Sequence, residues 1–263
     1  MDNQPDYDYY GLVAHTWDLH RASAESWSDG VLYRELAERY GQPVLDLGCA
    51  TGRILLPYLE RGIDTDGVDN SPELLEICRQ KAVARGLSPH LYEQSIVTLD
   101  LPRRYKTILG SSSVFQLITD EAEALQTLKR IFAHLEPGGI FVTSFSFEWR
   151  EGDALESDWH PHFEVTRPSD GATIRSFCRE WHEPKKRLWH AEQRFEVEKK
   201  GEVVATEHHI NSPEGRSYTQ AQAIALFADA GFVEIRALHE FTHEPALPDD
   251  RLFCIVGEKP TCA

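Results

Sequence analysis

The chain has 263 residues, of which 41% are hydrophobic and 27% charged, and a formal net charge of −16. This length fits one large domain or a domain carrying a substantial insertion, and the acidic balance argues against nucleic-acid and anionic-lipid partners. No apolar run approaches the ~20 residues of a membrane span. The N-terminus MDNQPDYDYY is not a secretory signal, and five cysteines without CxxC spacing read as reduced thiols, so a cytoplasmic setting is expected.

Apolar spacing predicts a helix over Val31 to Tyr40, within a mainly helical N-terminal segment 1–40. Alternating elements follow. Val44 to Leu47 reads as a short strand, Thr51 to Glu60 as a helix stopped by Gly62, and Thr65 to Asp69 as a second strand. Asn70-Ser71-Pro72-Glu73 supplies a polar cap and a first-turn proline for a helix reaching about Arg85. Ser88 to Gln94 and Tyr105 to Ser111 are the third and fourth strands, and Asp120 to Leu135 is a helix. Pro137-Gly138-Gly139 makes a turn before a fifth strand, Ile140 to Phe147. Strands and helices in this rhythm predict an α/β, Rossmann-like, doubly wound and mostly parallel seven-stranded sheet.

After an irregular segment from Glu148 to Pro161, four consecutive strands are expected: Phe163 to Arg167, Thr173 to Trp181, Leu188 to Glu198 and Glu202 to Ile210. Turn residues separate them, which predicts an antiparallel sheet inserted after strand five. Thr219 to Ala230 returns to helix. Val233 to Phe241 and Leu252 to Glu258, joined by a short connection, suit an antiparallel pair. The expected organisation is a helical lid over 1–40, a first α/β portion over 41–147, an inserted sheet over 148–216 and a completing portion over 217–263.

The junction VLDLGCATGR, Val44 to Arg53, bears on function. Gly48 and Gly52 let the backbone turn sharply and approach a ligand closely, and the following helix aims its free N–H groups at the same place. In open α/β sheets, ligands lie beyond the carboxyl ends of the strands, where strand order reverses. Asp69 ends the second strand, where an acid can accept both ribose hydroxyls of a nucleoside. The Gly48-Cys49-Ala50-Thr51-Gly52 spacing lacks the last interval of the dinucleotide fingerprint. The acid at Asp46 would repel a pyrophosphate and suits a ligand with a positive group.

DLGCATGR, Asp46 to Arg53, resembles the first motif of class I S-adenosylmethionine-dependent methyltransferases, with Ala50 where that family usually has glycine. VDNSPELLE, Val68 to Glu76, resembles the second motif. LEPGGIFVTS, Leu135 to Ser144, and AGFVEI, Ala230 to Ile235, resemble later junctions. The resemblance implies that Gly48, Ala50, Thr51 and Gly52 form the cofactor loop and that Asp46 orients it and meets the cofactor's amino group. It implies that Asp69 takes the ribose, Asn70 lies beside the adenine, and Gly110 and Ser111 sit near the sulfonium. Ser95-Ile96 stands where family members often carry an acid followed by an apolar residue against the adenine.

Methyl transfer needs alignment and exclusion of water rather than a triad or metal, and no metal site is expected. Candidates to orient or deprotonate an acceptor are Tyr10, His15 and His20 in the N-terminal segment and Gln116, with Phe115, just after strand four. Trp149, Trp159, Trp181 and Trp189 lie in or beside the insertion as pocket-wall or core residues, with Arg175, Arg216 and Tyr218 as weaker acceptor contacts. His208 and His209 are adjacent on a strand and point to opposite faces. The expected activity is methyl transfer to nitrogen or oxygen of a small molecule, in a chain that could form a homo-oligomer through the inserted sheet. A non-catalytic S-adenosylmethionine-binding domain and a nicotinamide-dependent oxidoreductase are the alternatives.

Overall fold

Every residue of Val44–Leu47 (β1) and of Thr65–Asp69 (β2) is buried, as parallel strands covered on both faces require. In the computed structural model, which describes residues 7, 9–21, 29–146 and 149–261, these strands run side by side and parallel. Leu91–Glu93 (β3), Tyr105–Gly110 (β4) and Leu135–Ser146 (β5) extend the same sheet. His160–Thr166 (β6), Thr173–Glu183 (β7), Leu188–Lys199 (β8) and Glu202–Arg216 (β9) form a second one, and Val233–His239 (β10) and Leu252–Glu258 (β11) return to the first.

The first sheet has seven strands in the order β10-β11-β5-β4-β1-β2-β3. β11 alone runs opposite to the other six strands, antiparallel to both β10 and β5. Strand order reverses at β1, which pairs with β2 on one side and β4 on the other. The second sheet is antiparallel throughout, in the order β6-β7-β8-β9. The doubly wound α/β sheet with an inserted antiparallel sheet is therefore the fold.

Helices cover both faces of the larger sheet. Glu121–His134 (α5, numbered after Gly11–Thr16 (α1), Asp29–Tyr40 (α2), Leu55–Glu60 (α3) and Pro72–Ala84 (α4)) buries Ala124, Leu128 and Ile131 at helical spacing. With Gln220–Asp229 (α6) it closes a core that includes Leu45, Ile108, Phe141 and Phe227. α2 packs Leu32, Tyr33 and Leu36 on the opposite face, against Val44, Ile140 and Val142. The polar cap expected at the start of α4 is present, and α6 carries a cap of its own. Ser71 Oγ accepts from Leu74 N at 3.2 Å at the start of α4, and Thr219 and Gln222 make a reciprocal capping box on α6. No helix among the described residues is long and apolar enough to cross a membrane.

Several boundaries differ from expectation. The helix expected from Thr51 starts at Leu55, because Gly52 has φ +84° and no helix passes through that conformation. The third strand shortens to Leu91–Glu93, its length set by pairing with Gly67 to Asp69. The Pro137-Gly138-Gly139 turn lies inside β5, where the register with β4 shifts between Tyr105 and Thr107. β9 runs on to Arg216, bulging opposite Trp189 to Ala191. Phe147, Glu148, Cys262 and residues 1–6, 8 and 22–28 of the N-terminal segment lie outside the described residues.

Candidate cofactor and acceptor site

The strand-to-helix loop after β1 bends back on the end of β2. Gly48 (φ +66°) and Cys49 both donate their amides to Val68 O, at 2.8 and 3.0 Å. A Cβ on Gly48 would stand 2.7 Å from Val114 Cγ2, so a side chain at this position would close the gap. Asp69 anchors the loop from the neighbouring strand. Its Oδ2 accepts from Ala50 N and its Oδ1 from Ser71 N, each at 2.9 Å. Burial raises its pKa, against the pull of those backbone donors.

Beside this loop lies a cleft of about 590 Å³, the solvent space at its mouth included. Asp46, Gly48, Ala50, Asp69 and Ser111 line it, as the sequence predicts, and Tyr9, Trp17, Arg21 and Arg53 line it as well. Asp46 is buried, and its Oδ1 has no hydrogen-bond partner. Burial pushes its carboxyl up to about 7, although the Arg53 charge and the Leu55 amide pull the other way. Arg53 is engaged elsewhere. Its Nη1 and Nη2 donate to the two carboxylate oxygens of buried Asp29 at 2.8 and 2.6 Å, a bidentate pair.

The other expected site residues are placed differently. Thr51 is buried and donates to Asp18 Oδ1 at 2.7 Å rather than facing the cleft. Gly52 is held by its positive φ and by packing, since a Cβ there would meet Cys78 Sγ at 2.7 Å. Gly110 packs on Thr143, whose Oγ1 a Cβ would meet at 2.9 Å. Asn70 is exposed. Ser95 caps a short turn by accepting from Val97 N at 3.3 Å, and Ile96 packs on the main core. None of these six lines the cleft.

Gln116 is completely buried, and both ends of its amide are used. Nε2 donates to Ser146 O and Arg216 O, both at 2.9 Å, and Oε1 accepts from Ser146 N at 2.6 Å. It ties the two sheets together and has no group left for an acceptor. Phe115 is a core residue among Phe141, Phe145 and Tyr218. Arg216 donates to Thr119 O and Glu121, and Arg175 pairs with Glu164 and Glu198, so both are structural.

The N-terminal segment bridges the two sheets. Gly11 N donates to Glu73 Oε2 of α4, and Leu12 N to Glu207 Oε1 of β9, each at 2.8 Å. Leu12 packs with Ile174, Phe195 and Val197 of the second sheet. Ser71 Oγ donates to Tyr9 O at 2.6 Å, and Lys81 Nζ pairs with Asp18 at 2.8 Å. Within this segment Tyr9, not Tyr10, faces the cavities. Tyr10 sits over the His209 ring, with centroids 4.4 Å apart. His15 is exposed and lines none of these cavities. His20 stacks on Phe163 with centroids 4.0 Å apart, and burial with the neighbouring Arg21 lowers its pKa to about 4.

Two further cavities adjoin the cleft, sharing Tyr9 and Ser112 with it as lining residues. One, of about 880 Å³, lies between the sheets and is lined by Ser113, Ser144, Ser146, Trp189 and Glu214, among others. The other, of about 730 Å³, is walled by His20, Arg21, His162, Gln193 and Glu214. Trp189 is thus a wall residue. Trp181 instead stacks on His190, with centroids 4.9 Å apart. His208 is exposed and His209 buried, the opposite faces expected of strand neighbours. Among the described residues no group of three or more His, Cys, Asp or Glu side chains is placed to hold a metal ion.

A protein-family model described as "Methyltransferase domain" matches residues 44–139. A carboxy-S-adenosyl-L-methionine synthase from Aliivibrio fischeri is 36% identical over 177 residues, covering 62% of this chain and 72% of that protein. A Yersinia enterocolitica synthase of the same name is 31% identical over 142 residues, and the chain spans about half of its length, 52%. Among solved structures, an S-adenosylmethionine-dependent methyltransferase from Clostridium acetobutylicum superposes with a TM-score of 0.75 at 17% identity, over 95% of this chain and 97% of that one. The sugar N-methyltransferase KedS8 from a Streptoalloteichus species gives 0.69 at 20% identity, over 99% of both chains. The chain belongs to the class I S-adenosylmethionine-dependent methyltransferase family.

The cleft fits the cofactor of that family. The orphaned carboxylate oxygen of Asp46 suits an ammonium group, Gly48 leaves room where a Cβ would not fit, and Asp69 keeps acceptor capacity beyond its backbone donors.

Proposed function

We propose that the protein transfers a methyl group from S-adenosylmethionine to the nitrogen of a small polar amine. One observation carries the reading: the cleft beside the β1 loop adjoins, across Tyr9 and Ser112, a cavity between the two sheets. That space is lined by serine hydroxyls, an indole and the carboxylate of Glu214. Hydroxyls suit a polyhydroxylated molecule, and a carboxylate suits a cationic amine. KedS8, a sugar N-methyltransferase, matches along nearly the whole chain, so the match includes the inserted sheet.

Asp46, Asp69 and the 48–50 backbone would hold the cofactor. The bound sulfonium supplies an already activated methyl group, so the protein's contribution is placement and exclusion of water. Placement alone contributes ~7–11 kcal/mol in favourable cases. Tyr9 and Trp17 from the N-terminal segment, with Trp189 from the inserted sheet, provide the apolar walls that exclude water. Glu214 borders both acceptor-side cavities and would orient the amine. His20 does not serve as base in this arrangement. Its Nδ1 faces Thr16 O at 2.7 Å and its Nε2 faces Arg21 Nη1 at 2.7 Å, so both ring nitrogens are committed.

The test is incubation with S-adenosylmethionine and a panel of amino sugars and small amines, followed by mass spectrometry of both products. S-adenosylhomocysteine together with a methylated amine supports the reading. The curated relatives favour a second reading, in which S-adenosylmethionine is the substrate and gains a carboxyl group from a second, carboxyl-donating small molecule, as the product in the name carboxy-S-adenosyl-L-methionine synthase requires of those proteins. A cofactor heavier by a carboxyl group in a parallel incubation with carboxylated small molecules as donors, and no methylated amine, would select it. Tight cofactor binding with neither product would mark a non-catalytic binding domain.

A further inference from the structure

Glu214 borders both acceptor-side cavities from an irregular stretch of β9. Trp189 pairs with Gly215 and Ala191 with Asn211, so one residue of β8, His190, stands opposite three of β9, Ser212, Pro213 and Glu214. Such a bulge breaks the alternation of a strand and re-aims its side chains. In unbroken alternation Ser212 and Glu214, two positions apart, would share a face. Here Ser212 meets His190 while Glu214 reaches the cavities. Trp189 lines the cavity between the sheets, so its strand neighbour His190 points to the opposite face.

The His190 ring is fixed on that face. It is buried and stacks on Trp181, with centroids 4.9 Å apart and planes within 6° of parallel. Its Nε2 lies 3.1 Å from Glu183 Oε1, and its Nδ1 lies 2.9 Å from Ser212 Oγ. Lys186 pairs with Glu183 at 2.6 Å and lowers its pKa, so the ionised carboxylate can only accept. Nε2 then carries the hydrogen, and in the neutral ring Nδ1 is left to accept from the Ser212 hydroxyl. The far end of the bulge is held differently. A Cβ on Gly215 would overlap the Trp189 indole, and Arg216 O accepts from Gln116 Nε2 at 2.9 Å. Glu214 thus sits between a packed glycine on one side and a tethered hydroxyl on the other.

We propose that the chain Glu183–His190–Ser212, on the face of the inserted sheet opposite the cavities, holds the β9 bulge in the form that presents Glu214 to the acceptor amine. His190 and Ser212 are then positioning residues, which act through Glu214 and touch no reactant. The proposal rests on the reading of Glu214 as the group that orients the amine.

The test uses the full chain. Ser212 is exposed, so Ser212→Ala removes one hydroxyl at little risk to folding, and Ser212→Thr keeps that hydroxyl. His190→Phe keeps a ring on Trp181 without either nitrogen. Two quantities are measured: methyl transfer from S-adenosylmethionine to glucosamine, and the carboxyl carbon resonance of isotope-labelled Glu214 in the ligand-free protein, assigned by its loss in Glu214→Gln. Ser212→Ala and His190→Phe should move the resonance and raise the amine KM about threefold to tenfold, the range of one hydrogen bond. S-adenosylhomocysteine affinity should stay unchanged by calorimetry, and Ser212→Thr should restore both quantities. In the Glu214→Gln background Ser212→Ala should have no further effect on KM, as expected of residues that act through one group. A wild-type resonance and KM in folded Ser212→Ala overturns the proposal, as does a loss of S-adenosylhomocysteine affinity equal to the rise in amine KM, which would mark a general loosening. A moved resonance in a chain that methylates no amine keeps the positioning and sinks the amine reading instead.

Discussion

The carboxylate of Asp69, at the end of β2, receives the backbone amide of Ala50 from the β1 loop at 2.9 Å. With its other oxygen it receives Ser71 N, at the start of α4. One side chain therefore sets the loop, starts the next helix and borders the cleft. Asp69→Ala should weaken S-adenosylhomocysteine binding at least tenfold by calorimetry, since hydrogen bonds to a charged group contribute ~1.5–3 kcal/mol. Asp69→Asn, which keeps one acceptor oxygen, should lose less.

Ala50 itself sits at φ +46°. That conformation costs a non-glycine residue roughly 1–2 kcal/mol, while glycine gives back ~0.4–1 kcal/mol through unfolded-chain entropy. Ala50→Gly should raise the melting temperature by about 1–4 °C and leave cofactor affinity equal or tighter. A clear loss of affinity would show that the alanine methyl makes a needed contact.

Asp46 predicts a pH dependence. Its carboxyl is pushed to about 7 in the folded, ligand-free protein, above the ordinary value near ~4. The folded state holds a proton there that the unfolded chain has released, so ligand-free stability declines as pH rises from about 4 to about 7 and stays low above. A ligand ammonium favours the ionised form, and binding below 7 must expel the proton. Affinity for S-adenosylhomocysteine should fall several-fold between about pH 8 and about pH 6. Asp46→Asn should bind more weakly at pH 8, show a flatter profile and unfold at higher temperature without ligand.

Gln116 provides a contrast between position and chemistry. Gln116→Leu removes the amide that meets Ser146 N–H, Ser146 O and Arg216 O, and a buried group left unsatisfied costs ~1–3 kcal/mol. The variant should melt several degrees lower. Gln116→Glu should also melt lower at neutral pH, because a carboxylate has no donor for the two carbonyls.

The sheet, the inserted strands, the Ser71 cap and the roles of Gly48 and Asp69 in shaping the cleft were legible because they rest on local patterns. Alternating apolar runs, a proline after a cap and a glycine after an acid act within a few residues. Gln116 was misread because its partners Ser146 and Arg216 lie 30 and 100 positions away. Proximity to strand four placed it near the chemistry, and only tertiary packing shows both ends of its amide occupied. Tyr9 and Tyr10 differ by one position in a segment without helical periodicity, so nothing in the sequence says which ring turns inward. Arg21 carried no signal either, since nothing in its neighbourhood along the chain says that it lines the cleft. The late start of α3 was readable in principle from Gly52, had its left-handed conformation been weighed above its place in an amphipathic run.

The first two amides of α1 are received by carboxylates of different layers, Glu73 and Glu207, while Tyr9, two residues before the helix, walls the cleft and the adjoining cavity alike. If the cleft holds the nucleoside and the adjoining cavity the acceptor, a partition shared in this way would favour a fixed order of turnover. The nucleoside would be seated first, completing the wall of the acceptor space, and the spent thioether would leave last. Steady-state kinetics should then be sequential, with the demethylated by-product a potent competitor of fresh cofactor and its departure setting the pace.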